Sequence, residues 1–208
     1  MKTTMFLAAA AVSASTALAA PLVSNGSVAF PVNLGAPVAA LPVATLSTPF
    51  VYSGIGSPFS GILNSYVYNS DPLNPGGLTF AYTVTNTSAT TEAFGAMSVN
   101  GFGGWLIDAS TDVGAPAPLP FDIYRSISGG EITSYYVTTG IPFHGVVMPG
   151  MTSGPTILRT NATEWALNIG AVINGSVAGN IDILAPVPTP GAAALMGLGT
   201  LAAFRRRR

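Results

Sequence analysis

His144, the one histidine of the chain, is the first side chain to consider for catalysis or metal binding. A Ser-His-Asp triad would need a serine in a strained turn, and the G-x-S-x-G pattern of such a turn does not occur. A zinc site would need more nitrogen or sulfur ligands, and the chain has no cysteine. Val146 and Met148 share a strand face with His144, so the sequence favours a packed or surface histidine.

Three aspartates offer a second kind of chemistry. Asp108, Asp112 and Asp122 flank one loop, residues 109–121, and carboxylate oxygens are the ligands that calcium prefers. The EF-hand spacing is absent, however, and the three residues are spread over 15 positions. Solvated loop carboxylates are therefore the favoured interpretation.

Three glutamates could in principle hydrolyse glycosides, a reaction that needs two facing carboxylates, one of them with a raised pKa. Glu92, Glu131 and Glu164 are available, but their spacing selects no pair. The sequence therefore predicts that the protein is not an enzyme. It assigns no catalytic, cofactor-binding or metal-binding residue and expects no cofactor.

Aromatic residues offer a fourth possibility, a platform on which sugar rings stack. Trp105, Trp165, Tyr135 and Tyr136 are the candidates. Alternating tyrosine and tryptophan in strands also pack in the core or across strands, and this second interpretation is favoured. Exposure of the four in one row would favour sugar binding, and burial of Trp105 and Trp165 would favour a structural role.

The distribution of charge excludes one class of partner. The chain has 208 residues, and residues 20–184 carry all eight carboxylates but only two basic side chains, Arg125 and Arg159. Such a region repels a phosphate backbone, so we expect no nucleic-acid binding. Without cysteines there are no disulfides, but about 160 residues can bury enough apolar surface to fold without them.

The elements that would position these side chains are strands. Residues 78–86 alternate in period two, with Leu78, Phe80, Tyr82 and Val84 on one face. Asn-Gly pairs predict one hairpin between 93–99 and 102–108 and another between 166–173 and 176–184. Further strands are predicted at 61–68, 123–128, 132–138, 143–148 and 156–160, and residues 20–50 are expected to form an edge strand or an ordered lead-in.

This succession of short strands and Gly/Pro turns, without an amphipathic helix, predicts an all-β, antiparallel β-sandwich over residues 20–184. A jelly roll and an immunoglobulin-like sandwich remain alternatives at this point. Helices are expected only in the two terminal segments that flank the sandwich.

The N-terminal residues 1–19 have the features of a secretory signal helix. Lys2 supplies a positive charge, and an apolar run follows it over residues 5–14. Ala17 and Ala19 form the small-x-small pattern that signal peptidase recognises. Cleavage after Ala19 is therefore predicted.

The C-terminal residues 185–208 combine a proline-rich stalk, an apolar run of about 14 residues and four arginines. As a helix the run measures about 21 Å, against about 30 Å for a bilayer core, so it would need a locally thin bilayer. The arginines would hold the C-terminus in the cytoplasm. A GPI signal would end in its apolar stretch, and a sortase signal would need an LPxTG-type motif, which does not occur.

This tail resembles the PEP-CTERM sorting domain of exported bacterial proteins. The matching residues are Pro188, Thr189, Pro190, Gly191, Arg205, Arg206, Arg207 and Arg208. Thr189 stands where the family has glutamate. The resemblance implies a tail that is processed by an exosortase, a membrane transpeptidase. The stretches 59–68, 74–86, 101–114 and 148–165 are also similar to a recurring type of PEP-CTERM protein, which implies location and fold but no activity.

Two function classes follow. The first is a non-enzymatic cell-surface or extracellular-matrix protein that is transiently anchored in the inner membrane by its C-terminal helix. The second is a carbohydrate-binding module for exopolysaccharide on the same anchor. The expected partners are signal peptidase and the secretion machinery, an exosortase-like enzyme, the membrane and, for the second class, an extracellular polysaccharide.

Overall fold

The computed structural model describes residues 20–29, 31, 41–53, 58–89, 92–112, 114–115, 118–136, 146–174 and 177–187. These residues form twelve strands and contain no helix. The strands are β1 (Ala20–Pro21), β2 (Ser27–Ala29), β3 (Ala44–Tyr52), β4 (Phe59–Tyr68), β5 (Thr79–Asn86), β6 (Ala96–Asn100), β7 (Ile107–Ser110), β8 (Asp122–Arg125), β9 (Glu131–Tyr135), β10 (Thr156–Thr160), β11 (Trp165–Asn174) and β12 (Val177–Pro186).

The strands belong to two six-stranded antiparallel sheets. Sheet A has the order β1-β7-β10-β5-β4-β3, and sheet B has the order β12-β11-β6-β9-β8-β2. Every pairing in both sheets is antiparallel. The prediction of an all-β, antiparallel sandwich is thus confirmed at the level of two packed sheets.

Aromatic rings from sheet A fill the space between the sheets. Phe80 and Tyr82 of β5 point inward, and both lie edge-on to Phe102, with ring centroids 5.7 and 6.4 Å apart. All three side chains are fully buried. The Tyr82 hydroxyl donates a hydrogen bond of 2.6 Å to the carbonyl of Leu184 in the opposite sheet. The alternation of residues 78–86 therefore places its large side chains in the core, as predicted.

One predicted hairpin is confirmed and the other is wrong. β11 and β12 pair along their whole lengths, from Trp165 with Pro186 to Asn174 with Val177. Asn100-Gly101, in contrast, does not join neighbouring strands, because β6 lies in sheet B and β7 in sheet A. Gly101 has a φ of 100°, and the chain then crosses the core so that Phe102 is buried. A turn signal cannot distinguish this crossing from a hairpin.

Other strand predictions differ in detail. Residues 20–50 contribute β3 as an edge strand of sheet A and the short β1 and β2 as the outer strands of the two sheets. Within the predicted strand at 143–148, residues 143–145 lie outside the described residues, and Val147 forms an isolated bridge with Phe94. The predicted strand at 156–160 is confirmed as β10.

The edges of the two sheets meet where β12 lies against β3. Thr48 donates a hydrogen bond to the carbonyl of Asp182, at 2.9 Å. A Cβ at Gly179 would fall within the ring of Tyr52, so only glycine permits this approach. The contact closes the sandwich along one side.

Burial of Tyr82 leads to a prediction at alkaline pH. Burial raises the pKa of Tyr82 well above its ordinary value. Unfolded tyrosine ionises near pH 10, so the stability that this neutral phenol contributes is fully present below about pH 10 and is lost as the pH rises above it. We expect Tyr82→Phe to be less stable at pH 7, by about 1 kcal/mol for the lost hydrogen bond. It should lose less stability than the wild type between pH 9 and 11. Urea unfolding at each pH measures both effects, and parallel pH profiles would contradict the argument.

Candidate functional site

Several residues singled out in the sequence lie outside the described part of the chain. These are His144, both residues of the predicted cleavage motif, Ala17 and Ala19, and the eight residues of the sorting motif from Pro188 to Arg208. Their assignments stay predictions. Within the described residues, no helix is long and apolar enough to cross a membrane.

The three aspartates considered for calcium do not form a common site. Asp108 lies on β7 of sheet A, Asp122 on β8 of sheet B, and Asp112 between them beside the outer face of sheet A. Burial raises the pKa of Asp108, while the charge of Arg159 acts in the opposite direction. No group of three possible ligands among the described residues could hold a metal ion.

The three glutamates are also distributed over the fold. Glu131 begins β9 and pairs with Asn100, at one end of β6. Glu92 accepts a hydrogen bond from Asn174, beyond the opposite end of β6. The length of β6 alone, about 13 Å, separates the two regions. Glu164 precedes β11. The structure therefore shows no shared cleft for these carboxylates.

The aromatic platform that was considered as an alternative to packing does not form. Trp105 is 8% exposed and Tyr136 is fully buried, so neither can stack on a ligand. Trp165 and Tyr135 are about two-fifths exposed. Tyr135 is in register with Ala96 of β6, which is in register with Ile173 of β11. Ile173 lies eight residues from Trp165, a distance of about 26 Å along the strand. The interpretation as core packing is correct for Trp105 and Tyr136 only.

A groove on the outer face of sheet A is the concave feature that the sequence did not reveal. It has a volume of about 340 Å³. Its floor consists of outward-pointing side chains from three adjacent strands, which are Tyr66, Tyr68, Ala81, Thr83 and Ile157. Strand β4 alternates regularly between buried and half-buried residues, so its inward apolar side chains fix Tyr66 and Tyr68 on the outer face.

Two loops form the rim of the groove. One contributes Asp112 and Ala115, and the other contributes Thr152, Ser153 and Pro155. These residues place the Thr152 side chain and one carboxylate around an aromatic floor, while the buried hydroxyl of Ser153 accepts the amide of Val84. Burial raises the pKa of Tyr68, and the neighbouring Tyr66 adds to the effect.

The second rim loop is a bent continuation of β10 along β5. Thr152 forms a bridge with Thr85, and their hydroxyls are 2.9 Å apart. Ser153 exchanges two bonds with Val84, donating its amide to the carbonyl and accepting the Val84 amide at its hydroxyl. Pro155 lies between these bonds and β10, where it has no amide hydrogen to leave unpaired.

The first rim loop is attached to the second. The hydroxyl of Thr111 donates to the carbonyl of Pro155 at 2.9 Å, and the amide of Gly154 donates to Pro118 at 2.8 Å. Oδ1 of Asp112 accepts the amide of Gly114 at 2.9 Å. The described residues of both loops are therefore hydrogen-bonded to each other or within their own loop.

A buried ion pair lies next to the groove. Nε of Arg159 donates to Oδ2 of Asp71 at 2.7 Å, and both side chains are at most 2% exposed. The same carboxylate oxygen accepts the hydroxyl of Thr79, at 2.8 Å, and Thr79 is in register with Tyr68 on the groove floor. The pair thus attaches the loop after β4 to the outer face of the sheet, in the same cross-strand row as Tyr68.

Arg125, the second cation, is buried in a different way. Its guanidinium donates to the main-chain carbonyls of Gly129, Leu22, Phe102 and Trp105, at 2.9 to 3.0 Å. Burial lowers the pKa of Arg125 from its ordinary value. Residues 20–187 contain no other lysine or arginine, so both basic side chains of this region are engaged internally.

The sequence contained only part of the signal for the groove. The alternation of residues 59–68 places Tyr66 and Tyr68 on one face, and this could have been read as a pair of aromatic rings opposite the core. The rim, however, depends on contacts between residues more than 30 positions apart. Comparison of the chain with protein-family models, with curated proteins and with solved structures found no match.

Proposed function

We propose that this protein is a non-enzymatic, exported cell-surface or extracellular-matrix protein, sorted through its C-terminal segment 185–208. The observation that supports the proposal best is the position of the buried core. The described core residues run from Leu22 to Ala185, and so lie between the predicted cleavage site and the proline-rich stalk. Strand β12 extends to Pro186, so the sandwich includes the first two residues of the segment 185–208.

The pairing of β1 makes the position of cleavage important. Ala20 is in register with Ala109, and the amide of Leu22 donates to the carbonyl of Ile107 at 2.8 Å. Cleavage after Ala19 would preserve these contacts, whereas cleavage a few residues later would remove the outer strand of sheet A. The fold is thus compatible with signal peptidase acting at the predicted site.

The surface charge of residues 20–187 is consistent with the proposal that the protein does not bind nucleic acid. The two basic side chains of residues 20–187 are buried, while carboxylates such as Asp182 are exposed. Proposed partners are signal peptidase and the secretion machinery, an exosortase-like enzyme, and the inner membrane through a short C-terminal helix.

We favour a jelly-roll description of the sandwich over an immunoglobulin-like one. The chain changes sheet at each of the connections β5–β6, β6–β7, β7–β8, β9–β10 and β10–β11. Repeated crossing between two sheets is typical of Greek-key jelly rolls. The N-terminal signal helix and the C-terminal helix complete the proposed organisation.

Export and sorting can be tested together by expressing the full chain in a bacterium that has an exosortase. We expect intact mass spectrometry to show a mature N-terminus at Ala20. Replacing Arg205, Arg206, Arg207 and Arg208 with serine removes the charges that are costly to carry across a bilayer. This variant should pass into the medium with its tail intact, while the wild type is retained and processed.

Two results would contradict the proposal. Mature protein that still carries residues 1–19 would exclude export through this signal. Wild type and serine variant with identical fractionation and identical C-termini would show that the arginines do not act in sorting. Changing the same four residues to lysine provides the matched control, since it keeps the charge and should behave as the wild type.

A further inference from the structure

The groove on the outer face of sheet A has no part in the proposed export and sorting, yet it has the form of a binding site. Tyr66 and Tyr68 are half-buried on its floor, so their rings are fixed in place and still reach solvent. Alternate residues of a strand are about 7 Å apart, so the two tyrosines are neighbours on the same face of β4. Aromatic rings bound on one side by protein offer flat apolar surface to a ligand.

The charge at the groove determines which ligands can bind. Asp112 is the carboxylate of the rim, and the nearest cation in register, Arg159, is already engaged by Asp71. Residues 20–187 contain no further lysine or arginine that could neutralise an anionic ligand. A phosphorylated, sulfated or uronic-acid ligand would therefore face uncompensated repulsion. A neutral ligand with several hydroxyl groups would instead donate hydrogen bonds to the carboxylate.

The rim is prepared for such a ligand. Thr152 and Asp112 carry polar groups at the edge of the aromatic floor, and the described residues of both loops are hydrogen-bonded to the sheet or to each other. A polar group that is already held by hydrogen bonds loses little conformational entropy when the ligand arrives. The groove therefore combines a fixed apolar surface with fixed polar groups at its edge.

Its size excludes the larger classes of partner. A volume of about 340 Å³ lies at the lower end of small-molecule sites. A stable protein interface buries about 800 Å² on each partner, which is far more than this groove offers. One or two rings of a sugar chain would fill it, with the rest of the chain in solvent.

We propose that this groove binds a neutral saccharide, with the apolar face of a sugar ring on Tyr66 and Tyr68 and sugar hydroxyls on Asp112 and Thr152. The site differs from the platform of Trp105, Trp165, Tyr135 and Tyr136 that was considered from the sequence. It does not depend on the export proposal, because binding is measured on purified protein and sorting in cells.

The test is binding of neutral oligosaccharides to the protein purified after expression of the full chain. A glycan array that contains neutral glucans, mannans and galactans selects a ligand, and titration calorimetry measures its affinity. Oligogalacturonate without added calcium serves as the anionic probe. The variants are Tyr66→Ala, Tyr68→Ala and Asp112→Asn, with Trp165→Ala as the matched control at an exposed aromatic residue outside the groove.

We expect a neutral oligosaccharide to bind and oligogalacturonate not to bind. Tyr66→Ala and Tyr68→Ala should each weaken binding about tenfold, while Trp165→Ala should leave it unchanged. Thermal unfolding identifies any variant that does not fold, and Asp112→Asn, which should also weaken binding because it removes the charged acceptor, then still tests the site. Absence of binding to every neutral glycan, or binding that resists both alanine variants, would overturn the proposal. Loss of binding in Trp165→Ala, or stronger binding of oligogalacturonate, would do the same.

Discussion

Replacing Asp71 with alanine is expected to lower the free energy of unfolding by about 3–5 kcal/mol, although the residue lies in a loop. Arg159 is buried in the folded protein and would lose its hydrogen-bonded counter-ion, keeping only the charge interaction with Asp108. One of its nitrogens, Nη2, already has no hydrogen-bond partner among the described residues. The hydroxyl of Thr79 and the amide of Leu73 would also lose their acceptor. Most of the loss thus comes from the cation that is left behind.

Urea unfolding of purified protein measures this effect, with an unchanged m-value as the sign that both states stay comparable. Asp182→Ala is the matched control, because Asp182 is exposed and its removal should change stability by less than about 0.5 kcal/mol. The double variant Asp71→Ala/Arg159→Met should recover much of the loss, since a buried ion pair can be replaced by apolar packing. A loss below about 1 kcal/mol in Asp71→Ala would mean that the pair behaves as an exposed one.

Local pattern was sufficient to predict most of the strands. Residues 156–160 form β10 as expected, and the pairing of β11 with β12 follows from alternation and the turn signal at Asn174-Gly175. These features depend on neighbours in sequence. Asn100-Gly101 has the same turn signal, but it begins a crossing between the sheets, because burial of Phe102 in the core determines the path of the chain.

Long-range contacts explain why the ion pair and the groove could not be predicted. A charged residue at position 159 of a strand would ordinarily indicate a solvent-facing side, and Arg159 does point to the outer face of sheet A. It is buried because Asp71, 88 positions away, holds a loop over it. The groove likewise requires Thr152 to meet Thr85 and Thr111 to meet Pro155. No local periodicity contains these pairings.

The contacts of Arg125 likewise could not be predicted from local periodicity, and its replacement has the second large expected effect on stability. Replacing it with methionine is expected to lower the free energy of unfolding by at least about 3 kcal/mol, since four main-chain carbonyls lose a charged donor in a buried place. Those carbonyls belong to three segments. They are the segment after β1 at Leu22, the crossing between the sheets that contains Phe102 and Trp105, and the turn at Gly129. The side chain therefore joins regions that are far apart in sequence.

The variant Arg125→Lys keeps the positive charge but changes the shape of the donor group, so it tests the two contributions separately. An ammonium group is a compact donor and cannot span acceptors that a planar guanidinium reaches from three nitrogens. We expect Arg125→Lys to recover less than half of the stability lost in Arg125→Met. Hydrogen exchange should also report the change locally, because the carbonyl of Leu22 is held by Arg125 and its amide by Ile107. The Leu22 amide should exchange faster in both variants, while that of Leu158 in the middle of sheet A should change only with global stability. Stability within about 1 kcal/mol of the wild type in Arg125→Met, together with a protected Leu22 amide, would show that the four carbonyls do not depend on this guanidinium.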